Sequence, residues 1–589
     1  MKLQDRQLYE HLAFLYGEEM AKSLTPRLLS RLNQFKAQFP YLAHPLQDQR
    51  VSERDTILIT YGDMVQREEE KPLQTLAYFL EKYLVGTINT IHILPFFPFS
   101  SDDGFSVVDY RKVNPALGTW NDVRRIGKHF RLMFDAVINH ISAESEWFQE
   151  FLKGNPRFRD FFTVMEEGAD LSSVFRPRAK PVLTSFETAA GRKLVWTTFS
   201  TDQIDLNYHN PEVLLEVIDV LLDYVSHGAE FIRLDAVTFI WKEVGTSCIN
   251  LPQTHCIVQL IRIVLNIVAP MVTLITETNV PHKENLMYFG NGQNEAQMVY
   301  NFALPVLVLH AFHHENVNIL SEWASTLDLP SNQATFFNFL AGHDGIGILP
   351  VRDILSESDI KEMIVRTKAS GGEVSYKNNQ DGSQSPYELN INYMDALNSL
   401  GDSKISNQLK VKRFLTSQAI MLALRGIPGI YFHSLVGSHN WIEGVNLTGR
   451  KRTINREKIH IEHLEKELND PHSVRHQIFY GYTELIQKRI MEKSFHPNGG
   501  QVIVPVGETV FALMRISPEG NERVLCLHNV SAKEQRFVVS NGEIDLPKRG
   551  LVHDLVSGLD IEIENHTLHL TFQPFQVMWL KWGQKSEAK

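Results

Sequence analysis

Short apolar runs alternate with longer amphipathic stretches through most of this chain. Eight runs have the length and bounding turns of buried strands: TILIT from Thr56, TIHILPF from Thr90, LMFDAV from Leu132, FIRLDAV from Phe231, VTLITET from Val272, MVYNF from Met298, ATFFNF from Ala334 and IPGIYF from Ile427. Near-continuous apolar runs, as opposed to strict alternation, belong to strands covered on both faces. Between them lie stretches with helical spacing, such as PEVLLEVIDVLLDYVSHG, which ends in a glycine. Strand–helix units in this number predict an α/β fold, a (β/α)8 barrel.

Two polar stretches break the rhythm. One follows His140 and runs to about residue 206; the other follows Asp344 and contains KASGGEVSYKNNQDGSQSPYELN. Long inserts after barrel strands build the active-site face. Leu8, Leu12 and Leu15 fall at helical spacing and predict a leading amphipathic helix. From about Gln501 the texture changes to short strands with turns between them, which predicts a separate antiparallel β domain. The expected divisions are a helical segment at 1–53, barrel at 54–140, an inserted domain at 141–206, barrel at 207–345, a second insert of acceptor-site loops at 346–405, barrel at 406–495 and the β domain at 496–589.

The strand FIRLDAV carries a charged pair in an apolar setting, with Arg233 and Asp235 on one face by the period of two. Burying an ion pair rarely adds stability, so the pair calls for another reason. Acidic residues recur at strand ends: Asp135 in the third run, Asp235 in the fourth, Glu277 in the fifth and Asp344 just after the seventh. A desolvated charge costs several kcal/mol unless paired, and neighbouring carboxylates also repel. Several on one rim point to catalysis at the face where barrel enzymes gather their reactive groups. Two close carboxyls, one ionised and one protonated, are suited to glycosidic bond exchange. Arg233 would then keep Asp235 ionised and oriented.

With 589 residues the chain is too long for one small core. No segment has the uncharged length of a membrane span, and charges interrupt every apolar stretch near the first residues, unlike a secretory signal. Cys248, Cys256 and Cys526 are odd in number and apolar in setting, which suggests reduced thiols in a cytoplasmic compartment. A formal net charge of -11 argues against a general nucleic-acid binder but leaves room for an anionic small substrate in a local basic pocket.

The motifs DAVINH, IRLDAV, TETN and GHD, with QIDLNY from Gln203, resemble the ordered motifs of glycoside hydrolase family 13, the α-amylase family. The resemblance implies a barrel with an inserted B domain and a C-terminal β domain. It implies Asp235 as nucleophile, Glu277 as acid/base and Asp344 as transition-state stabiliser, with His140, Arg233 and His343 around the glucosyl unit. Within the family, HILPFFPFSSDDGF, FRPR, HDGIG and TINR resemble the sucrose phosphorylase group, and full-length signatures such as ITETNVPHKEN resemble its glucosylglycerate-specific branch. That likeness adds Asp102, Phe105 and Arg456 to the sugar subsite, and Arg176, Tyr387, Glu388 and Arg452 to the phosphate and acceptor side. In SPYELN, Glu388 stands where sucrose phosphorylases have glutamine, which argues against sucrose as the natural donor.

The expected function is a retaining α-glucoside phosphorylase working on glucosylglycerate. Glucosylglycerol, sucrose 6-phosphate and sucrose are the alternatives, and plain hydrolysis or transglucosylation is a more distant one. A catalytically dead binding subunit fits poorly, because every carboxylate is kept. The expected partners are a sugar substrate and inorganic phosphate, with no cofactor, no metal, no nucleic acid and no membrane; a homodimer is left open.

Overall fold

A computed structural model describes residues 3–44, 50–178, 180–379, 381–398, 405–540 and 544–582. The expected outer domain bounds at 1 and 589 lie outside the described residues. The barrel strands are β1 (Ile57–Thr60), β2 (Thr90–Ile93), β3 (Arg131–Ala136), β4 (Ala229–Leu234), β5 (Thr273–Thr276), β6 (Met298–Tyr300), β7 (Thr335–Phe339) and β8 (Ile427–Tyr431). They close into an eight-stranded parallel barrel in sequential order, with β1 pairing both β2 and β8. Nearly every strand residue is buried, as both-face cover requires.

Register sets the chemistry. On the β3–β4 ladder Arg233 pairs directly with Asp135. With a side-chain period of two, neighbours in register share a face, so the two charges meet inside the barrel. The helix after the inserted domain, Pro211–Ser226, shows how the outer ring forms. Asn210 caps it by accepting from the Glu212 N–H, Pro211 occupies the first turn, and Val213, Leu214, Val217, Ile218 and Leu221 face the barrel. Gly228, at φ +97°, ends it in a conformation few other residues adopt cheaply.

Helices Leu3–Tyr16 and Glu18–Gln38 lie outside this ring. His11 Nε2 meets Gln259 Oε1 at 3.0 Å, and Arg27 pairs with Glu212 at 2.7 Å. In the first insert, His140–Ser142 pairs antiparallel with Gln203–Asp205, and a three-stranded sheet lies between them in sequence. The second insert differs from the loops expected of its Gly- and Asn-rich sequence. It contains helix Glu357–Ala369 and a sheet of Ile346–Gly347, Gln384–Asn390 and Glu373–Asn378. The polar composition belongs to a short exposed turn, while Val374, Tyr387 and Leu389 bury the sheet's inner face. That sheet packs tightly on the β7 loop: a Cβ added at Gly345 would stand 2.9 Å from the Cβ of Glu388.

From Gly500 to Lys581 an eight-stranded antiparallel sheet encloses a core of its own. Its Arg515 reaches back to the Ala423 carbonyl of the barrel at 2.9 Å. Cys248, Cys256 and Cys526 are buried free thiols. Among the described residues no helix is long and apolar enough to cross a membrane.

Candidate active site

Asp235 and Glu277 each sit one residue beyond a barrel strand. The main chain still holds them: the Asp235 N–H donates to Ala136 O and the Glu277 N–H to Leu234 O, both at 3.1 Å. Ala236 follows in the left-handed region, at φ 48°, a strained choice for a residue with a Cβ. The strain turns its N–H onto Glu277 Oε2 at 3.0 Å. Both carboxyls therefore face one cleft at the carboxyl end of the barrel.

Arg233 lies beneath them, 2 % exposed. It donates from Nη1 to Asp135 and, at 2.8 Å, to Asp235; its Nη2 stands 3.9 Å from Glu277. Phe105 and Tyr300 flank the guanidinium at 5.9 and 5.6 Å. His92 adds a 2.6 Å contact to Asp135, and although burial works the other way, Arg233 and His92 hold Asp135 down at about 2. The ion pair in the apolar strand is thus one member of a buried charge network, in which Arg233 Nε and His92 Nδ1 have no hydrogen-bond partner among the described residues.

Burial raises both Asp235 and Glu277 above the ordinary carboxyl range, and the pull of Arg233 only partly offsets it. Two such groups favour holding a proton between them. Arg233 stands closer to Asp235 than to Glu277, a geometry that favours the charge on Asp235, and the second oxygen of Glu277 remains free of the Ala236 bond. Asp344 is the opposite case. Burial opposes its charge, but Arg452 at 2.5 Å and Arg456 at 3.5 Å keep it well below the usual range.

These groups line a pocket of about 690 Å³ including its mouth, together with Asp102, Phe105, His140, His343, Tyr387, Glu388 and Arg452. Phe105 stacks on His343, with ring centroids 4.6 Å apart and planes within 3°. Burial lowers His343 to about 3, so its ring is neutral. His140 lines the wall, but its Nε2 bonds the Phe105 carbonyl at 2.9 Å. Asp102 and Asp103 both have positive φ, 53° and 51°, and aim their carboxylates at Arg456.

Two expected residues are elsewhere. Arg456 does not line the pocket. It stands behind, donating to the His343 carbonyl at 2.8 Å and to Asp103 at 2.6 Å. Arg176 lines a separate cavity with Ser172, Phe175, Ser247 and Lys377. The residue that reaches the pocket is Arg178. Pro177 lies in a bend between them, so two arginines that the period of two would put on one side diverge. Arg178 sits 5.8 Å over Tyr387 and 5.9 Å from the Phe199 ring, with Nη1 3.7 Å from Glu388. Arg452 bridges Glu388, from Nε at 3.1 Å, to Asp344. An adjoining cavity carries Arg178, Lys180, Arg450, Lys451, Arg452 and Arg456, so the mouth is cationic although the chain is acidic.

Asn139 and Asp205 present two oxygens that could serve a cation, and the ammonium of Lys242 stands between them. It donates to Asn139 Oδ1 at 2.8 Å and lies 2.7 Å from Asp205, with all three residues buried. A lysine thus joins the inserted domain to the barrel. Lys242 is too distant along the chain from Asn139 for the sequence to show the contact.

Residues 80–345 match the family model described as α-amylase, catalytic domain. The chain is 50% identical over 577 residues to the glucosylglycerate phosphorylase of Spirochaeta thermophila, covering 97% of each chain. It is 44% identical to that of Escherichia coli, over 98% of this chain and 100% of the relative. The chain belongs to the α-amylase family. The crystal structure of sucrose 6F-phosphate phosphorylase from Thermoanaerobacter thermosaccharolyticum has the same fold, with a TM-score of 0.72 over 89% of this chain and 99% of that one at 23% identity. For this family member the Arg233 network yields a direct test. Arg233→Lys keeps the charge but cannot reach Asp135, Asp235 and Glu277 together. It is expected to fold and to lose about 100-fold or more in kcat/KM. Near-normal kinetics would mean that Arg233 is only a structural salt bridge.

Proposed function

We propose that this enzyme is a retaining α-glucoside phosphorylase that cleaves glucosylglycerate with inorganic phosphate to α-glucose 1-phosphate and glycerate. The observation that carries the reading is a buried carboxyl pair in a pocket with a guanidinium, Arg178, at its cationic side. The full-length likeness to glucosylglycerate phosphorylases supports the same acceptor.

In this reading a carboxylate oxygen of Asp235 attacks the anomeric carbon while the glycosidic C–O bond breaks, and Glu277 gives its proton to the departing glycerate oxygen. A glucosyl ester of Asp235 results. An oxygen of phosphate then attacks the same carbon from the vacated side, the ester bond breaks, and Glu277 takes back a proton from phosphate. Two inversions give net retention. Asp344 stays ionised and accepts from sugar hydroxyls, and Phe105 and His343 stack against the ring. Arg178 and Arg452 hold the phosphate or glycerate charge, with Glu388 partly spent on Arg452. The scheme uses phosphate as co-substrate and needs no cofactor. The basic mouth would concentrate anions that an acidic chain otherwise repels.

Glu277 must be protonated to start the cycle, and its titration is raised by burial. Activity on donors with poor leaving groups is therefore expected to persist as pH rises past the ordinary carboxylate range and to fall only as Glu277 finally deprotonates. Glu277→Gln should remove that alkaline limb and leave activated donors least affected, since they need no proton. A limb unchanged in the variant would assign the proton elsewhere.

The acceptor is tested by running the reaction backwards. α-Glucose 1-phosphate is supplied with glycerate, glycerol, fructose or fructose 6-phosphate, and phosphate release is measured. The reading expects glycerate to be used best. Preference for any of the other three would replace glycerate, and release of free glucose with no acceptor dependence would mean hydrolysis.

A further inference from the structure

Away from the pocket, the barrel helix Ala303–His314 and the second insert's helix Glu357–Ala369 bring imidazoles and carboxylates together. His310 and His314 are four residues apart, so they stand one turn apart on one helix face, with ring centroids 4.3 Å apart. Asp359 faces them. Its Oδ2 is committed to the cap of its own helix, accepting from Ser356 Oγ at 2.6 Å and from the Ser356 N–H at 3.1 Å. Its Oδ1 is turned the other way, 3.7 Å from His310 Nε2. That is too long for a hydrogen bond. One turn further, Glu362 Oε2 lies 3.7 Å from His314 Nε2, while its Oε1 accepts from Arg366 at 2.8 Å.

We propose that His310, His314 and Asp359 bind a divalent transition-metal ion of the zinc type, with water as fourth ligand. One ligand atom from each of the three lies within 4.8 Å of the others. Zinc held at ~2.0–2.1 Å in a tetrahedron spaces its ligand atoms ~3.4 Å apart. The 3.7 Å between His310 Nε2 and Asp359 Oδ1 is close to that spacing, and the His314 side chain, 31% exposed, has room to turn toward them. Two imidazoles with a carboxylate are a donor set that suits zinc and disfavours magnesium or calcium.

The site is structural, because none of its residues lines the pocket. Its position gives it a use. Helix Glu357–Ala369 leads into strand Glu373–Asn378, which pairs with the strand carrying Tyr387 and Glu388. A metal would staple that acceptor-side sheet to the barrel. The inference stands independently of the acceptor's identity.

The test uses the full chain, zinc ions and three proteins: wild type, His314→Gln and Asp359→Asn. The asparagine keeps an oxygen for the Ser356 cap but removes the charge facing His310. After loading and desalting, wild type is expected to retain about one zinc per chain, and added zinc is expected to raise its thermal midpoint. Each variant should bind zinc at least about 10-fold more weakly and show no zinc-dependent midpoint shift. Wild type that retains no zinc, or variants that bind as tightly as wild type, would overturn the proposal.

Discussion

Asp235→Asn is expected to lose turnover with every donor, by a factor on the order of 10⁴ or more, the scale on which removal of a catalytic nucleophile registers. The amide cannot form the glucosyl ester, so a better leaving group offers no rescue. Glu277→Gln provides the contrast, since it spares donors that need no protonation. Asparagine is close to aspartate in size, and the site keeps its Arg233 donor, so the fold is expected to survive. The check is initial rates for both variants on a natural glucoside and on an activated aryl or fluoride donor. Activity of Asp235→Asn on the activated donor near wild type would remove Asp235 from the reaction.

Arg178→Ala is expected to separate anion use from glucosyl transfer. Ester formation needs Asp235 and Glu277; its breakdown needs whatever occupies the acceptor side. A guanidinium can give two charge-assisted hydrogen bonds to phosphate or carboxylate, each worth about 1.5–3 kcal/mol. Their loss should weaken phosphate and glycerate use by tens-fold or more, since about 1.4 kcal/mol is a factor of ten. Glycerol, which carries no charge, should suffer less, and hydrolysis should be nearly spared. Arg176→Ala serves as the comparison, because Arg176 lines another cavity and should leave phosphate use unchanged. Equal losses for all acceptors in Arg178→Ala would indicate a collapsed loop, and a selective loss in Arg176→Ala would return the phosphate role to that residue.

The barrel was legible because its strands are buried on both faces and so write unbroken apolar runs. Its reactive rim was legible because acids at the ends of such runs have no cheap structural reason to be there. Side-chain direction in irregular segments was not. FRPR offers two arginines and a proline, and nothing in local spacing says which arginine the bend at Pro177 turns inward. Arg456 has the composition of a ligand-binding residue, yet its bonds to His343 and Asp103 put it behind the pocket. Lys242 joins partners 103 residues distant at Asn139, a contact only the fold creates. The second insert read as loops because its turn residues outnumber its apolar ones, although three of those, Val374, Tyr387 and Leu389, are enough to seat a small sheet.

The central claim is that phosphate, in place of water, takes a glucosyl group from Asp235 with retention. Proton NMR of the first product formed from glucosylglycerate, with and without phosphate, tests it most directly. The account predicts α-glucose 1-phosphate and glycerate appearing together in the presence of phosphate, and little product in its absence. β-Glucose 1-phosphate, or free glucose released at the same rate without phosphate, would contradict it.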